Sequence, residues 1–331
     1  FQNFSYLISF NEILKDRNEF IETIQLLVAI SCNHHRSPTF FEKIENFLLS
    51  IKDEIHQHLT NQEIFKIFNK NKRILLFLVE QKILDPNSIK FDVKIDPEKK
   101  VDLLLYMYPE FKKLSKNKSI YKAVKKFDSQ YFQEKRKIGE NEQYICQLIR
   151  DDMIDEFISH VNQNEIDLSM TIGPSIFETN SFLICKTVSL IEYSAFFGSI
   201  QIFKYLYLNG VSFESSLWIF AIHGQCHEII HILEDNKIEP ESIKLCFSES
   251  LKCHHNEIAN YLLNNYSIKN DFDFAPCISY YNYLFFPKKL DYRSFINLCK
   301  HNYLKIVEVL CKLPISMINE KIISKKKFFL I

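Results

Sequence analysis

Three histidines fall four residues apart in this chain, His223, His227 and His231, with Cys226 among them. On one continuous helix such spacing puts three imidazoles on a shared face, and imidazole and thiolate are the ligands zinc prefers. Cys253, His254 and His255 form a second group, and Cys32, His34 and His35 a third. Gly224, however, marks a turn inside the first group, so His223 is expected to end one helix and His231 to lie in the next. No group has the ligand spacing of a known zinc finger or ribbon, so neither a metal site nor a cofactor is expected. The sequence holds no G-x-S-x-G and no phosphate-binding glycine loop, and five glycines are too few to build several such loops. Asp151 with Asp152, and Asp155 with Glu156, suit solvated helix starts better than an acid–base pair. The chain is therefore read as non-catalytic.

The elements that carry these residues repeat. Segments 189–211, 215–237, 241–264 and 291–312 each read as an apolar helix, a turn marked by Gly or Asn, a second helix with an Ile three or four residues before a Leu, and a polar stop. A worn copy lies at 144–160, with Asp151 and Asp152 at its turn. Self-similarity near this period is the signature of stacked helical units. With Ile202, Ile229, Ile258 and Ile306 taken as equivalent, the spacings are 27, 29 and 48. The long gap holds an aromatic stretch at 265–290 (among others Phe272, Phe274, Tyr280 and Phe286), expected to be an inserted, packed flap. Ala195 and Ala221 are small enough for close helix approach, and Gly198 and Gly224 are expected to take the positive φ that ends a helix. Asn302 would do the same in the last unit. Trp218, the single tryptophan, is expected in the core.

Residues 1–138 read as helical without a repeat. Phe20, Ile21, Ile24, Leu27 and Val28 follow a helical period, and Phe40, Ile44, Phe47, Leu48, Ile51 and Ile55 form an apolar stripe. Ser37 and Pro38 have the chemistry of a helix start, Thr60 and Glu63 the spacing of a capping box, and Asp96 and Pro97 mark a further start. From 112 to 137 the chain is strongly basic (Lys112, Lys113, Lys116, Lys118, Lys122, Lys125, Lys126, Lys135, Arg136, Lys137), and beyond Gly139 it turns acidic. That reversal divides the chain into a 1–138 helical region and a 139–331 repeat region. The basic run reads as a solvated face or linker before it reads as a nucleic-acid footprint.

Across 331 residues, 41 basic side chains balance 41 acidic ones, which removes any global pull toward polyanions. A 47 % apolar content is ample for a core, and few glycines and prolines favour helices over short turns and strands. Nine scattered cysteines do not form a disulfide framework, which points to a reducing compartment. No apolar run approaches the roughly 20 residues needed to span a bilayer. Because the chain opens on Phe1 rather than Met, an upstream start is expected.

The second unit resembles the ankyrin repeat. Ala221-Ile222-His223-Gly224 follows its A-x-x-G, and Glu228 through Leu233 its E-I-V-x-x-L; Ala195 to Gly198, with Ile202 and Leu206, repeats the match. The departures are units of 27 and 29 rather than 33, an extra residue between Gly224 and Glu228, and S-L-I-E and S-L-W-I in place of the T-P-L-H box. More broadly, the chain is similar to the helical domain of uncharacterised function that precedes ankyrin arrays in large protein families of parasitic protists. That resemblance implies an all-α fold, an N-terminal helical bundle followed by an irregular ankyrin-like solenoid, with regular ankyrin units to follow. It also implies a protein-interaction scaffold acting through the concave face, with a protein partner. No small-molecule substrate is expected, and the cysteine usage and short apolar runs make a cytoplasmic chain without a membrane span the expectation. In ankyrin register the presented residues would be Phe196, Phe197, Ile222, His223, Leu251, Lys252, Lys300 and His301. The alternatives are capping or self-association of a longer array, and nucleic-acid binding through 112–137.

Overall fold

The computed structural model describes residues 14–33, 39–89, 97–111, 129–266, 275–286 and 292–301, with Tyr303, Ile306, Val307 and Cys311. Ser37, Pro38, Asp96, Asn302 and the basic run up to 128 lie outside them. The protein is all-α: among the described residues there are eighteen α-helices and two strands of two residues each. None of these helices is long and apolar enough to cross a membrane. Two compact units divide the chain, 1–238 and 239–331, and the charge reversal at Gly139 falls inside the first.

The first unit opens with α1 (Arg17–Asn33), α2 (Phe40–Ser50), α3 (Lys52–His58), α4 (Asn61–Phe68) and α5 (Lys72–Glu80). The apolar stripe read from 40 to 59 is split at Ile51, whose φ of −115° ends α2 before α3 begins. Phe20, Ile24, Ile44, Phe47, Leu48, Ile55 and Phe65 pool into one core. Thr60 and Glu63 form the reciprocal capping box that opens α4, which satisfies amides that a helix leaves unpaired. Asn71 caps α5 through Ile74 N and donates to Ser31 O and Oγ, tying α5 to α1. The helices α6 (Pro97–Tyr106), α7 (Tyr108–Phe111) and α8 (Ser129–Ile138) follow.

Three helix pairs complete the unit: α9 (Tyr144–Arg150) with α10 (Ile154–Gln163), α11 (Leu190–Phe197) with α12 (Ile200–Leu208), and α13 (Leu217–Gly224) with α14 (His227–Asp235). First helix packs on first helix, α9 on α11 and α11 on α13, while α10, α12 and α14 meet along the other side. Seven of the eight residues of α11 and of α13 are buried, as expected of helices that are apolar all round. The second helices bury one stripe each, such as Ile202, Phe203 and Leu206.

Each first helix stops at a residue in the left-handed region: Asp152 (φ 51°), Gly198 (64°) and Gln225 (52°). Each second helix stops likewise, at Glu165, Gly210 and Lys237. Around most of these positions the next amide reaches back to a carbonyl five residues earlier, as Met153 N does to Leu148 O, Ser199 N to Ser194 O and Ile238 N to Leu233 O. That bond is the Schellman closure, which occupies carbonyls a helix end would otherwise leave open. Gly224 departs from expectation. It remains helical, and Gln225 takes the positive φ. The glycine is needed for close approach instead: a Cβ on Gly224 would sit 2.0 Å from Ala195 O.

Neighbouring pairs are stitched by polar caps. Ser189 and Glu192 form a capping box at the start of α11, and Glu192 Oε1 also accepts from Ser216 Oγ, at the start of the next pair, at 2.8 Å. The S-L-I-E segment at 189–192 thus carries its own cap. Asp152 accepts from Gln201 N and Ile202 N, capping α12 from the preceding pair. Replacing Ser189 with alanine is expected to cost about 1 kcal/mol in urea denaturation, and no loss would contradict the cap.

Between α10 and α11 the strands Thr171–Ile172 and Val188–Ser189 pair antiparallel. The segment 173–187 that they bracket lies over the first helices. Phe182 stacks on Phe196 with ring centroids 5.5 Å apart and planes within 6°, and it meets Phe220 at 5.2 Å and His223 at 4.1 Å. The same segment is held from below by Lys72 Nζ on Ile176 O and by Ser181 Oγ on Cys32 O.

The second unit contains α15 (Ile243–Lys252), α16 (Asn256–Asn265), α17 (Ala275–Ser279) and α18 (Tyr292–Lys300). Within it α15 packs on α16 and α17, and α17 on α18. His254 ends α15 at φ 56° with the same closure, His255 N to Ser250 O. The described part of the aromatic stretch is not a featureless flap. Its α17 ends on Tyr281 at φ 57°, closed by Asn282 N on Cys277 O. Gly198, Gln225, His254 and Tyr281 therefore mark turns at spacings of 27, 29 and 27. The stretch is a further unit in register, its second helix shortened to a 3-10 turn at Tyr283–Phe285.

Candidate functional site

The eight residues expected on a presented face divide sharply. Phe196, Ile222 and Leu251 are fully buried, and Phe197 and His223 nearly so. Phe196 and His223 lie under Phe182, so the chain's own 173–187 segment occupies the inner-helix face there. Two helices apolar all round need a cover on every side, and this segment provides one. These five residues are accordingly not presented, which corrects the expectation for them. The other three remain accessible, all in the second unit: Lys252 and His301 are partly exposed and Lys300 is exposed. Lys252 Nζ lies 3.2 Å from Glu249 and 5.9 Å from the Tyr280 ring. His301 Nε2 is 2.9 Å from Ser279 Oγ. Lys252 and Lys300 end α15 and α18, where the helix dipole favours positive charge. Asn282, buried, fixes the α15 end by donating to Leu251 O and to Asn256 Oδ1.

His227-Glu228-Ile229-Ile230-His231 also has the H-E-x-x-H spacing of zinc hydrolases, a pattern that the motif reading above passes over. It lies on α14, with Ile229 and Ile230 buried and His227, Glu228 and His231 exposed. Glu228 is engaged by Lys204 at 2.5 Å, and His231 Nδ1 lies 3.1 Å from Glu234. Among the described residues this pair of imidazoles belongs to no convergent group of three ligand atoms, and a catalytic zinc needs three protein ligands. The pattern is the polar side of an amphipathic helix. His223 lies apart from it, inside α13 and stacked on Phe196.

Of the basic run, α8 carries Lys135, Arg136 and Lys137. Arg136 is no surface cation. It is 1 % exposed, makes a forked pair with both Glu110 oxygens at 2.8 Å, and donates to Tyr106 O and Gln133 Oε1. Its Nε has no partner.

A second polar layer runs beside it. Lys72, 2 % exposed, donates to Asp102 at 2.7 Å and to Ile176 O at 2.9 Å. Burial pulls the Lys72 ammonium down and the Asp102 carboxyl up, each partly offset by the other. Arg150 pairs with Glu140 at 2.6 Å and donates to Tyr193 Oη at 2.9 Å. Glu140 also lines a cavity of about 230 Å³ whose walls include Phe41, Arg73, Glu178, Thr179, Asn180 and Phe197. Glu178 is 3 % exposed; its Oε1 accepts from Asn180 N at 2.8 Å, and its Oε2 has no partner.

Burial pushes the Glu178 carboxyl up to about 7, against the pull of Asn180 N, with the nearby charge of Glu140 adding to the rise and Lys72 and Arg150 opposing it. The folded chain thus holds this proton more tightly than the unfolded chain. Its stabilising contribution is full below the ordinary value of 4.5 and is lost as pH rises through about 7. Glu178→Gln should therefore gain stability relative to the parent between pH 5 and pH 8, by on the order of 3 kcal/mol at the upper end. Paired thermal melts across that range check it, and a pH-independent difference would contradict it.

Residues 210–289 match the family model of a domain of unknown function (DUF3447). The matched span holds the turns at Gln225, His254 and Tyr281. No curated protein and no solved structure matches the chain.

Proposed function

We propose that this chain is a non-catalytic protein-interaction scaffold, an irregular ankyrin-like solenoid that engages its partner through the second unit. The observation that carries the reading is the recurrence of a helix and a left-handed turn at 27, 29 and 27 residues, with a Schellman closure at Gly198, His254 and Tyr281. Units of this kind stack into extended surfaces, and such surfaces serve recognition. The covered first helices direct the contact away from Phe196 and His223, toward Lys252, Lys300 and His301. Two lysines and an imidazole at helix ends suit an acidic partner segment. The absence of a disulfide among the nine cysteines fits a reducing cytoplasm.

The test is affinity capture with the full chain against the triple variant Lys252→Glu/Lys300→Glu/His301→Glu, both verified as folded by circular dichroism. Acidic partners should be lost from the variant while a Lys204→Glu control, changed in the first unit, retains them. An unchanged set of bound proteins would sink the proposal. Self-association has one observation in its favour, the exposed Tyr283 and Leu284, 58 % and 78 % accessible. Sedimentation of the parent and of Leu284→Ser separates it, since self-association predicts a dimer that the substitution dissolves.

A further inference from the structure

The cavity beside Glu178 pairs an unmet acceptor with an underused donor. Glu178 Oε2 is buried without a partner, which is costly for a carboxylate of either protonation state. Arg73 lines the same cavity. Its guanidinium lies over the Phe41 ring at 4.1 Å and meets Glu45 at a loose 3.9 Å, so its fork is not spent on a bidentate pair. The other carboxylate in the wall, Glu140, is engaged by Arg150 at 2.6 Å, and Thr179 Oγ1 donates to Gly139 O. Asn180, also in the wall, accepts from Phe182 N through its Oδ1. The groups left to a ligand are then one Glu178 oxygen and the Arg73 fork, with the Asn180 amide nitrogen and the rings of Phe41 and Phe197 beside them.

We propose that this cavity binds a small zwitterion, an ammonium carboxylate of amino-acid size, with its ammonium on Glu178 Oε2 and its carboxylate on Arg73. A simple amine would leave the Arg73 fork unmatched. A simple carboxylate would leave Glu178 unmatched and bring a second anion beside it. A molecule carrying both charges answers both. The volume of about 230 Å³ lies below the range of roughly 300–1,000 Å³ that holds drug-sized ligands, which restricts the occupant to a few heavy atoms. The site is a ligand site and not a catalytic one, and it stands independently of the scaffold reading.

Isothermal titration of the full chain at pH 8 with glycine, alanine and serine, each against methylamine and acetate, tests it. At least one of the three should bind with a Kd of about 1 mM or tighter, and the single-charge probes should bind at least about tenfold more weakly. Glu178→Gln, which removes a buried charge, and Arg73→Met, which keeps an apolar stem on Phe41, should each weaken the zwitterion by about tenfold or more. A water-filled cavity predicts no heat from any of the three, and that result would overturn the proposal. So would methylamine or acetate binding as tightly as the best zwitterion, or affinity unchanged in both variants.

Discussion

Replacing Gly224 with alanine is expected to destabilise the 1–238 unit by about 3 kcal/mol or more, a fall of roughly 10 °C in its melting temperature. The added Cβ would lie 2.0 Å from Ala195 O and 3.1 Å from Gly198 N. Both obstacles are backbone on the neighbouring helix, so no side-chain rotation relieves the overlap, and α11 and α13 must move apart. That separation would also loosen Phe182 from Phe196 and His223. The neighbouring substitution should behave oppositely. Gln225 holds φ 52°, a conformation that costs a residue with a side chain about 1 kcal/mol, so Gln225→Gly should be neutral or slightly stabilising once the entropy of glycine is counted. Gly198→Ala, which meets the left-handed cost, should lose about 1 kcal/mol. Denaturant titration of the three variants orders them, and Gly224→Ala losing no more than Gly198→Ala would refute the close-approach role.

The second large effect is expected at Arg136. Arg136→Met should cost about 3–5 kcal/mol, because Glu110 would be left as a largely buried carboxylate without its partner. Arg136→Lys keeps the charge but cannot reproduce two parallel bonds to Glu110 together with those to Tyr106 O and Gln133, so it should recover less than half of the loss. In the double variant Arg136→Met/Glu110→Gln no unpaired charge remains, and most of the loss should return. Urea denaturation of the cycle measures this, and additive single effects would show that the pair is not coupled.

Local signals are legible in the sequence where the structure they specify is local. Thr60 and Glu63, the Asp151–Asp152 turn and Gly198 each act within a few residues of themselves, and each forms as the residue types predict. Ser189 and Glu192 also have capping-box spacing, and the box forms. Gly224 was legible as a special position but not for the right reason, since its neighbour is a carbonyl on another helix. The unit at Ala275–Phe285 was hidden because its second helix is reduced to a 3-10 turn, which removes the aliphatic pair that marks the others. Arg136 stands in a basic run of lysines, and only packing distinguishes this buried cation from its neighbours. The cover over α11 and α13 comes from a segment with no helical period, and nothing in its own residues says which face it will occupy. Glu178 likewise carries no spacing that forecasts an orphaned oxygen.

The central claim is that recognition uses the second unit while the inner-helix face of the first is occupied by the chain itself. Photocrosslinking reads this directly, with p-benzoylphenylalanine placed at position 300 in one protein and at position 197 in another, each folded and incubated with cell extract. The account predicts a discrete adduct from position 300, abolished by the Lys252→Glu/His301→Glu background, and none from position 197. An adduct from position 197, or none from position 300, would contradict it.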